Sequence, residues 1–464
     1  MQNNLYTSNS KIKNIIKFLV VIVVAALLFN HVNGILRFKY GDGISVLDTF
    51  YELEDNSVDV LVLGSSHSFE DINPAVLYEE QGMASFVLAA SAQPIWNTYY
   101  YLKEGLKTQT PELIVLECFC TVHTWNYGNT SHIIKSTHGL KWSEDKWNAL
   151  KVSVSEEDLF SFFPEFFQYH NRYEDLSAGD FLPYQGRESY YKTWKGHGDN
   201  MATMSFENPM FVEPVQGMEM LDKIEQYYRM IIELAQEEGI PICIVVSPCA
   251  ELTSEQQERL YTAKLIAQEY GVTFKDFNYC ADEMGLDYAE DFADSVHLNY
   301  KGNEKYSSYL GEFLKSNFQI SDRHNDSRYS SWNDNVNVRE HNIANYELKA
   351  MDDWEQYKKQ LEQLMATGEY YIIYTSSKAD SYGVNRVVYQ GEEVIYNSEE
   401  NGGEYILELS KWNTLYLDGT TSIMMNNTEY SRIENGYNLV VYDNLLESVA
   451  DAVAFDLEAG ELIR

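Results

Sequence analysis

Two short segments of this chain carry residue types able to run nucleophilic catalysis. The first is Gly64-Ser65-Ser66-His67-Ser68, which follows the apolar run Val58–Leu63. A serine at a turn directly after a strand projects its hydroxyl above the sheet edge, where a base can reach it; the glycine permits the tight turn. This turn lacks the closing glycine of the usual nucleophile elbow. The second is Asp294-Ser295-Val296-His297, followed by Leu298-Asn299. A serine nucleophile needs a base, and the base needs an orienting carboxylate. An Asp three residues before a His lets one short loop present both, with one imidazole nitrogen held and the other left for the serine. Read alone, Asp294 serves equally well as the cap of a helix starting near Asn299, with His297 merely exposed. Taken together, the segments point to a triad of Ser66 as nucleophile, His297 as base and Asp294 as its carboxylate.

Other side chains are candidates for binding. Tyr169-His170-Asn171-Arg172-Tyr173 combines rings with a guanidinium. Tyr169 and Arg172 suit a glycan or an acidic polymer group, with His170 as a further polar contact. The alternative is a structural Arg172 paired with one of many carboxylates. Glu117, at the end of a predicted strand, is either a polar contact of the site or a buried, hydrogen-bonded carboxylate. The five cysteines, Cys118, Cys120, Cys243, Cys249 and Cys280, show no CxxC or Cys/His metal spacing. No metal and no cofactor is expected, because a serine mechanism generates its nucleophile without metal-bound water. The cysteines read as buried thiols with at most one bridge.

Positioning such a site falls to alternating strands and helices. Apolar runs at Val58–Leu63, Ala84–Leu88, Leu113–Glu117, Pro241–Ser247 and Val272–Phe277 read as strands. Helices are expected over Asn97–Thr108, through Leu221, Ile224, Tyr228, Ile231 and Ala235, and around Tyr306–Leu314. That rhythm predicts an α/β fold, a flavodoxin-like parallel sheet flanked by helices, with ligands beyond the carboxyl ends of the strands. Residues 119–216 are aromatic-rich and irregular and read as an insertion over that edge. The hydrolase-like domain is thus expected over 37–318, a polar linker over 319–345, and a smaller, mostly β accessory domain over 346–464.

The serine turn after the first strand and the Asp-x-x-His before the last helix resemble the SGNH/GDSL hydrolase superfamily, over about residues 57–317. Ser66 matches the family's block-one nucleophile, and Asp294 and His297 its block-five acid and base. The resemblance implies an oxyanion hole built from the N–H of Ser66 and of a residue within Leu88–Gln93, here Ala92, where the family usually has glycine. The block-three Asn is absent, since Glu117-Cys118 follows the third strand. With a transmembrane anchor, these departures resemble the extracytoplasmic proteins of polysaccharide O-acylation, such as teichoic acid D-alanyl transfer and alginate O-acetylation proteins. That resemblance implies acyl chemistry on a polysaccharide or teichoic-acid-like polymer, and a membrane-bound O-acyltransferase partner. The C-terminal stretch Asn435–Asp443 is similar to small ILEI-type β domains.

Residues Phe18–Phe29 form an unbroken apolar run, extendable over 15–36. That is close to the ~20 residues a membrane-spanning helix needs. Lys11, Lys13 and Lys17 precede it and place the N-terminal tail, 1–14, in the cytoplasm. An uncleaved signal-anchor is expected, with a cleaved signal peptide as the rival; either puts the rest outside the cytoplasm. The chain carries 34 basic and 71 acidic residues, a formal net charge of -37. Such acidity repels phosphate backbones and excludes nucleic-acid binding. The expected protein is therefore a membrane-anchored, extracytoplasmic serine esterase or O-acyltransferase. Water as acceptor makes the first and a sugar hydroxyl the second, and the residues do not choose. The alternative is a non-catalytic polysaccharide-binding or scaffold protein on a degenerate SGNH fold.

Overall fold

A computed structural model describes residues 2–37, 42–176, 178–181, 194–376, 386–419 and 421–464. Lys39, just past the apolar run, and Asn385, where the sequence reading of the β domain starts one of its strands (385–389), lie outside them. The chain divides into two compact units, Met1–Asn333 and Asp334–Arg464.

In the first unit α1 (Gln2–Leu36) contains the apolar stretch Ile12–Leu36, long enough to cross a membrane. A helix α2 (Asp42–Phe50) then leads to β1 (Val60–Gly64), α3 (Ser66–Asp71), α4 (Pro74–Gln81), β2 (Ser85–Ala89), α5 (Ile95–Gly105) and β3 (Leu113–Glu117). The insertion holds α6 (Thr130–Thr137), α7 (Glu144–Ser153), α8 (Leu159–Phe162) and α9 (Phe166–Tyr169). The alternation resumes with α10 (Asp222–Glu237), β4 (Ile242–Val246), α11 (Ser254–Glu269), β5 (Thr273–Asp276), α12 (Ala281–Met284) and α13 (Tyr300–Asn317).

The five strands are parallel, in the order β2-β1-β3-β4-β5. The order reverses at β1, so the crevice beyond its carboxyl end is the ligand position of such a sheet. Both faces are covered, which is why every residue of β1 to β4 is buried. Val60, Val62, Val115 and Val245 pack with Leu77 of α4 and Leu310 and Leu314 of α13. On the other face α5 comes so close that a Cβ at Gly105 would lie 3.0 Å from Leu61 and 3.3 Å from Leu88. Burying each such Val or Leu contributes about 1.5–3 kcal/mol. The exposed flank of edge strand β2 is closed by the chain returning from the insertion, where the Val87 N–H donates to the Lys195 carbonyl at 2.9 Å. All five cysteines are buried and unbridged.

The polar linker expected over 319–345 is not one. Ser321 donates its N–H and hydroxyl to Glu112 at 2.7 and 2.6 Å, and Arg323 grips the Asp59 carboxylate at 2.7 and 2.6 Å. From Ser330 the chain is helical, as α14 (Ser330–Ala350). Its buried residues include Asn335, Arg339, His341 and Asn345 beside Trp332, Val338 and Leu348. A helix that buries polar side chains has no apolar stripe to announce it.

In the second unit α15 (Trp354–Thr367) precedes a six-stranded antiparallel sheet: β6 (Tyr370–Ser376), β7 (Arg386–Gln390), β8 (Glu393–Asn397), β13 (Tyr437–Asp443), β14 (Ser448–Asp456) and β15 (Glu461–Ile463). Between them β9 (Tyr405–Glu408), β10 (Thr414–Leu417), β11 (Met424–Met425) and β12 (Thr428–Glu429) form a second sheet. Leu439 and Val441 pack with Tyr357, Leu361 and Leu364 of α15, whereas Val440 and Tyr442 pack with Leu415 and Leu417. One strand thus serves two cores through its two-residue side-chain period.

Candidate active site

The turn after β1 is built around Gly64. Its φ is 154°, a conformation L side chains rarely adopt, and a Cβ there would meet the Ser68 hydroxyl and lie 2.8 Å from the Glu117 carbonyl. Ser68 donates its hydroxyl back to the Leu63 carbonyl at 3.0 Å. Ser66 therefore starts α3 at the carboxyl end of β1.

The base arrives from 231 residues along the chain. His297 Nε2 lies 2.8 Å from Ser66 Oγ, and its Nδ1 lies 3.0 and 2.9 Å from the two Asp294 carboxylate oxygens. Asp294 also accepts the N–H groups of Val296 and His297, both at 2.9 Å, which fixes the loop. The helix cap that Asp294 might have supplied is Asn299 instead, whose side chain accepts from the N–H groups of Lys301 and Gly302. Asp294 is left free to hold the imidazole.

Burial alone would lower the pKa of His297, but the Asp294 hydrogen bond and the charges of Glu70 and Asp294 outweigh it and raise it above 6.5. Burial would raise Asp294, yet the His297 contact and the two N–H donors bring it down to about 2. The Asp294 carboxylate is thus ionised and stabilises positive charge that forms on the imidazole.

His67 packs against Phe119 and His297, its ring tilted by 31° and 38° to theirs, with centroids 3.9 and 4.7 Å away. Burial first, and the neighbouring His297 next, push its pKa well below 6.5. It is a neutral wall that does not compete with the charge forming on His297. Its Nδ1 is 3.3 Å from Asp71 Oδ2, out of line for a hydrogen bond. Glu70 is held at 2.9 Å by the Asn200 side chain.

The loop after β2 is tied to the serine turn. Gln93 Nε2 donates to the Gly64 carbonyl at 3.0 Å and Thr98 Oγ1 to the same oxygen at 3.3 Å. The register pairs Gly64 with Ala89, so Ala92 stands in the loop beside Ser66's turn. Ala92 has φ 50°, the left-handed conformation that glycine usually supplies. Among the described residues no carbonyl accepts the N–H of Ser66 or Ala92. A cleft of about 820 Å³ opens beside the base loop, lined by Ser295, Val296, Phe206, Met210, Phe211 and Leu252 among others.

Tyr169, His170 and Arg172 have other partners. Arg172 donates to the carbonyls of Leu36 and Arg37 at 2.6 and 2.8 Å and pairs with Asp180 at 3.0 Å. Tyr169 is buried against His138. His170 is exposed, with Nδ1 on the Phe167 carbonyl at 2.8 Å. Of the three, Arg172 fastens the insertion to the end of α1 and pairs with a carboxylate, as its structural alternative had it. Glu117 is fully buried, held up to about 8 by that burial, with the Phe119 N–H on its carboxyl oxygens. It follows the buried-carboxylate alternative. Among the described residues no cluster of three or more His, Cys, Asp or Glu side chains is suited to a metal. Sequence reasoning missed Gln93, Thr98, His67 and Glu70, although all four sit within a few residues of Ala92 or Ser66.

A pH profile follows from His297. As a base it must be deprotonated, so kcat/KM for an ester should rise with pH through an inflection above 6.5. Glu70→Gln removes one of the charges that raise it. Its inflection should move toward lower pH, and a profile unchanged in Glu70→Gln would show that this carboxylate does not reach the imidazole electrically.

No protein-family profile and no curated protein matches the chain. Among solved structures it is similar to a putative acylhydrolase from Bacteroides fragilis NCTC 9343, at 12% identity and a TM-score of 0.28, over 59% of this chain and 95% of that one. It is also similar to a gut microbial diltiazem-metabolizing enzyme, at 9% identity and a TM-score of 0.26, over 80% of this chain and 58% of that one. The chain thus spans less than two thirds of the second protein. At these scores neither likeness carries an argument about chemistry.

Proposed function

We propose that the protein is a serine esterase or O-acyltransferase working through Ser66, His297 and Asp294. The observation that carries this is the continuous hydrogen-bonded line Ser66–His297–Asp294 at the carboxyl end of β1. In the first half-reaction Ser66 Oγ attacks an ester carbonyl carbon while its proton passes to His297 Nε2. The N–H groups of Ser66 and Ala92 hold the developing oxyanion. The tetrahedral intermediate then collapses: the carbon–oxygen bond to the leaving alcohol breaks, and that oxygen takes the proton from His297. In the second half-reaction water or a sugar hydroxyl gives its proton to His297 and attacks the acyl carbon; the bond to Ser66 Oγ then breaks, and Oγ takes that proton back from His297. Asp294 keeps its charge throughout and stabilises the imidazolium.

The substrate class in this reading is O-acyl groups on a cell-surface or secreted polysaccharide, with a membrane-bound O-acyltransferase as partner. Support comes from the SGNH-like residue pattern and from α1 as an anchor that keeps the site outside the cytoplasm beside such polymers. The helix alone is equally compatible with a signal sequence.

A fluorophosphonate probe tests the chemistry. The phosphorus should be recovered on Ser66 by peptide mass mapping in the wild type, and labelling should be lost in His297→Ala. Labelling of some other residue, or none on Ser66 in the wild type, would remove the triad assignment.

A further inference from the structure

The insertion contains a segment of which Leu159, Phe162 and Phe163 pack into a small core while neighbouring rings stay exposed. Residues 159–169 read Leu-Phe-Ser-Phe-Phe-Pro-Glu-Phe-Phe-Gln-Tyr. Phe160 is 74% exposed, Phe167 55% and, just beyond, Tyr173 63%. The segment's one charge, Glu165, is paired with Lys146 at 2.5 Å. Acidic residues flank it on both sides: Glu156, Glu157 and Asp158 before, Glu174 and Asp175 after. An uncharged aromatic tip between charged flanks is the pattern of an element that enters an apolar phase by its tip alone.

Its position says which phase. Phe166 of α9 meets Phe29 of α1 with ring centroids 5.3 Å apart, and Arg172 caps the last carbonyls of α1. A hydrocarbon core of about 30 Å takes ~20 helical residues, so counted from Lys17 it ends near Leu36. Phe29 lies seven residues before that end, about 10 Å down the helix axis. A ring packed beside Phe29 is therefore inside the outer leaflet if α1 spans the bilayer.

We propose that α8 and α9 dip into the outer leaflet beside α1, with Phe160 and Phe167 among the acyl chains and Tyr173 at headgroup level. The occupant of this apolar surface is the lipid bilayer. Aromatic rings with one polar end favour that depth, and the acidic flanks stay in water. The hydrolase-like unit is then fixed to the membrane at two points rather than swinging on one helix. This rests on α1 being retained as an anchor.

The test is depth measurement by electron paramagnetic resonance on the full chain in phosphatidylcholine nanodiscs. The five native cysteines are buried and free, so a single introduced cysteine takes the spin label selectively. Phe160→Cys and Phe167→Cys are compared with Leu27→Cys, on the exposed apolar surface of α1, and with Glu255→Cys, on a water-facing helix. Each label is probed with oxygen, which concentrates in lipid, and with a water-soluble nickel chelate. The oxygen-to-nickel collision ratio at Phe160→Cys and Phe167→Cys should be several-fold above that at Glu255→Cys, near the Leu27→Cys value. Ratios matching Glu255→Cys would overturn the proposal and leave the rings for a protein partner. Failure of the anchor itself is read separately, as a water-like Leu27→Cys or an intact mass lacking the N-terminal residues.

Discussion

Ser66→Ala should lower kcat/KM for an acetyl ester by about three to six orders of magnitude, since a triad loses nearly all its advantage when its nucleophile is removed. The melting temperature should hold, because Ser66 is half-buried and its hydroxyl bonds only His297 among the described residues. The decisive comparison is the double variant Ser66→Ala/His297→Ala. Members of one catalytic unit are strongly non-additive. The second substitution should add almost nothing to the first. If it costs as much again, His297 serves some reaction that Ser66 does not share, and the two residues are neighbours rather than a pair. Wild-type turnover in Ser66→Ala alone would end the assignment.

The second large effect is expected at Gly64, which touches no substrate in this reading. A methyl group there collides with the Ser68 hydroxyl and with the Glu117 backbone, and the φ of 154° is closed to alanine. Relief requires β1 and β3 to separate or the turn to rotate. Strain and overpacking together put Gly64→Ala at about 3 kcal/mol. For a unit of this size, Met1–Asn333, that is a fall in melting temperature of about 4 °C. Activity should drop further than stability, because rotating the turn carries Ser66 away from His297. Differential scanning calorimetry and ester hydrolysis on the same sample separate the two. A variant with wild-type melting and turnover would mean that the turn is far more plastic than its contacts indicate.

Much of the site was legible because its chemistry is local at each end. Strands buried on both faces show as apolar runs, so β1, β3 and β4 stood out, and a serine immediately after one is conspicuous. Asp294 and His297 share one loop, which spacing alone reveals. Less legible were the supports, which act across the sheet. Nothing in the sequence ties Gln93 to the Gly64 carbonyl, or Asn200 to Glu70, until the strands are in register. The glycine missing from the loop after β2 reads as a defect by residue type, yet Ala92 adopts the conformation that a glycine would supply. Tyr169 and Arg172 looked like ligand contacts because a buried anchoring arginine and a binding arginine have the same composition. Helix α14 escaped because Asn335, Arg339, His341 and Asn345 fill positions where an apolar stripe would be sought.

The chain that returns from the insertion closes the flank of β2, and this bears on whether the insertion is a detachable module. Removing residues 119–216 to make a minimal hydrolase would take Lys195 from Val87 and leave an apolar edge with an unpaired N–H. It would also take Asn200 from Glu70 and His197 from Asn73, whose side chains now meet at 3.1 Å. Bare edges of this kind pair with one another, so the shortened chain should fail first by self-association in the test tube and only afterwards in its chemistry. The insertion is thus the outermost staple of the parallel sheet, and an engineer who wishes to trim it has to cover the edge of β2 in another way.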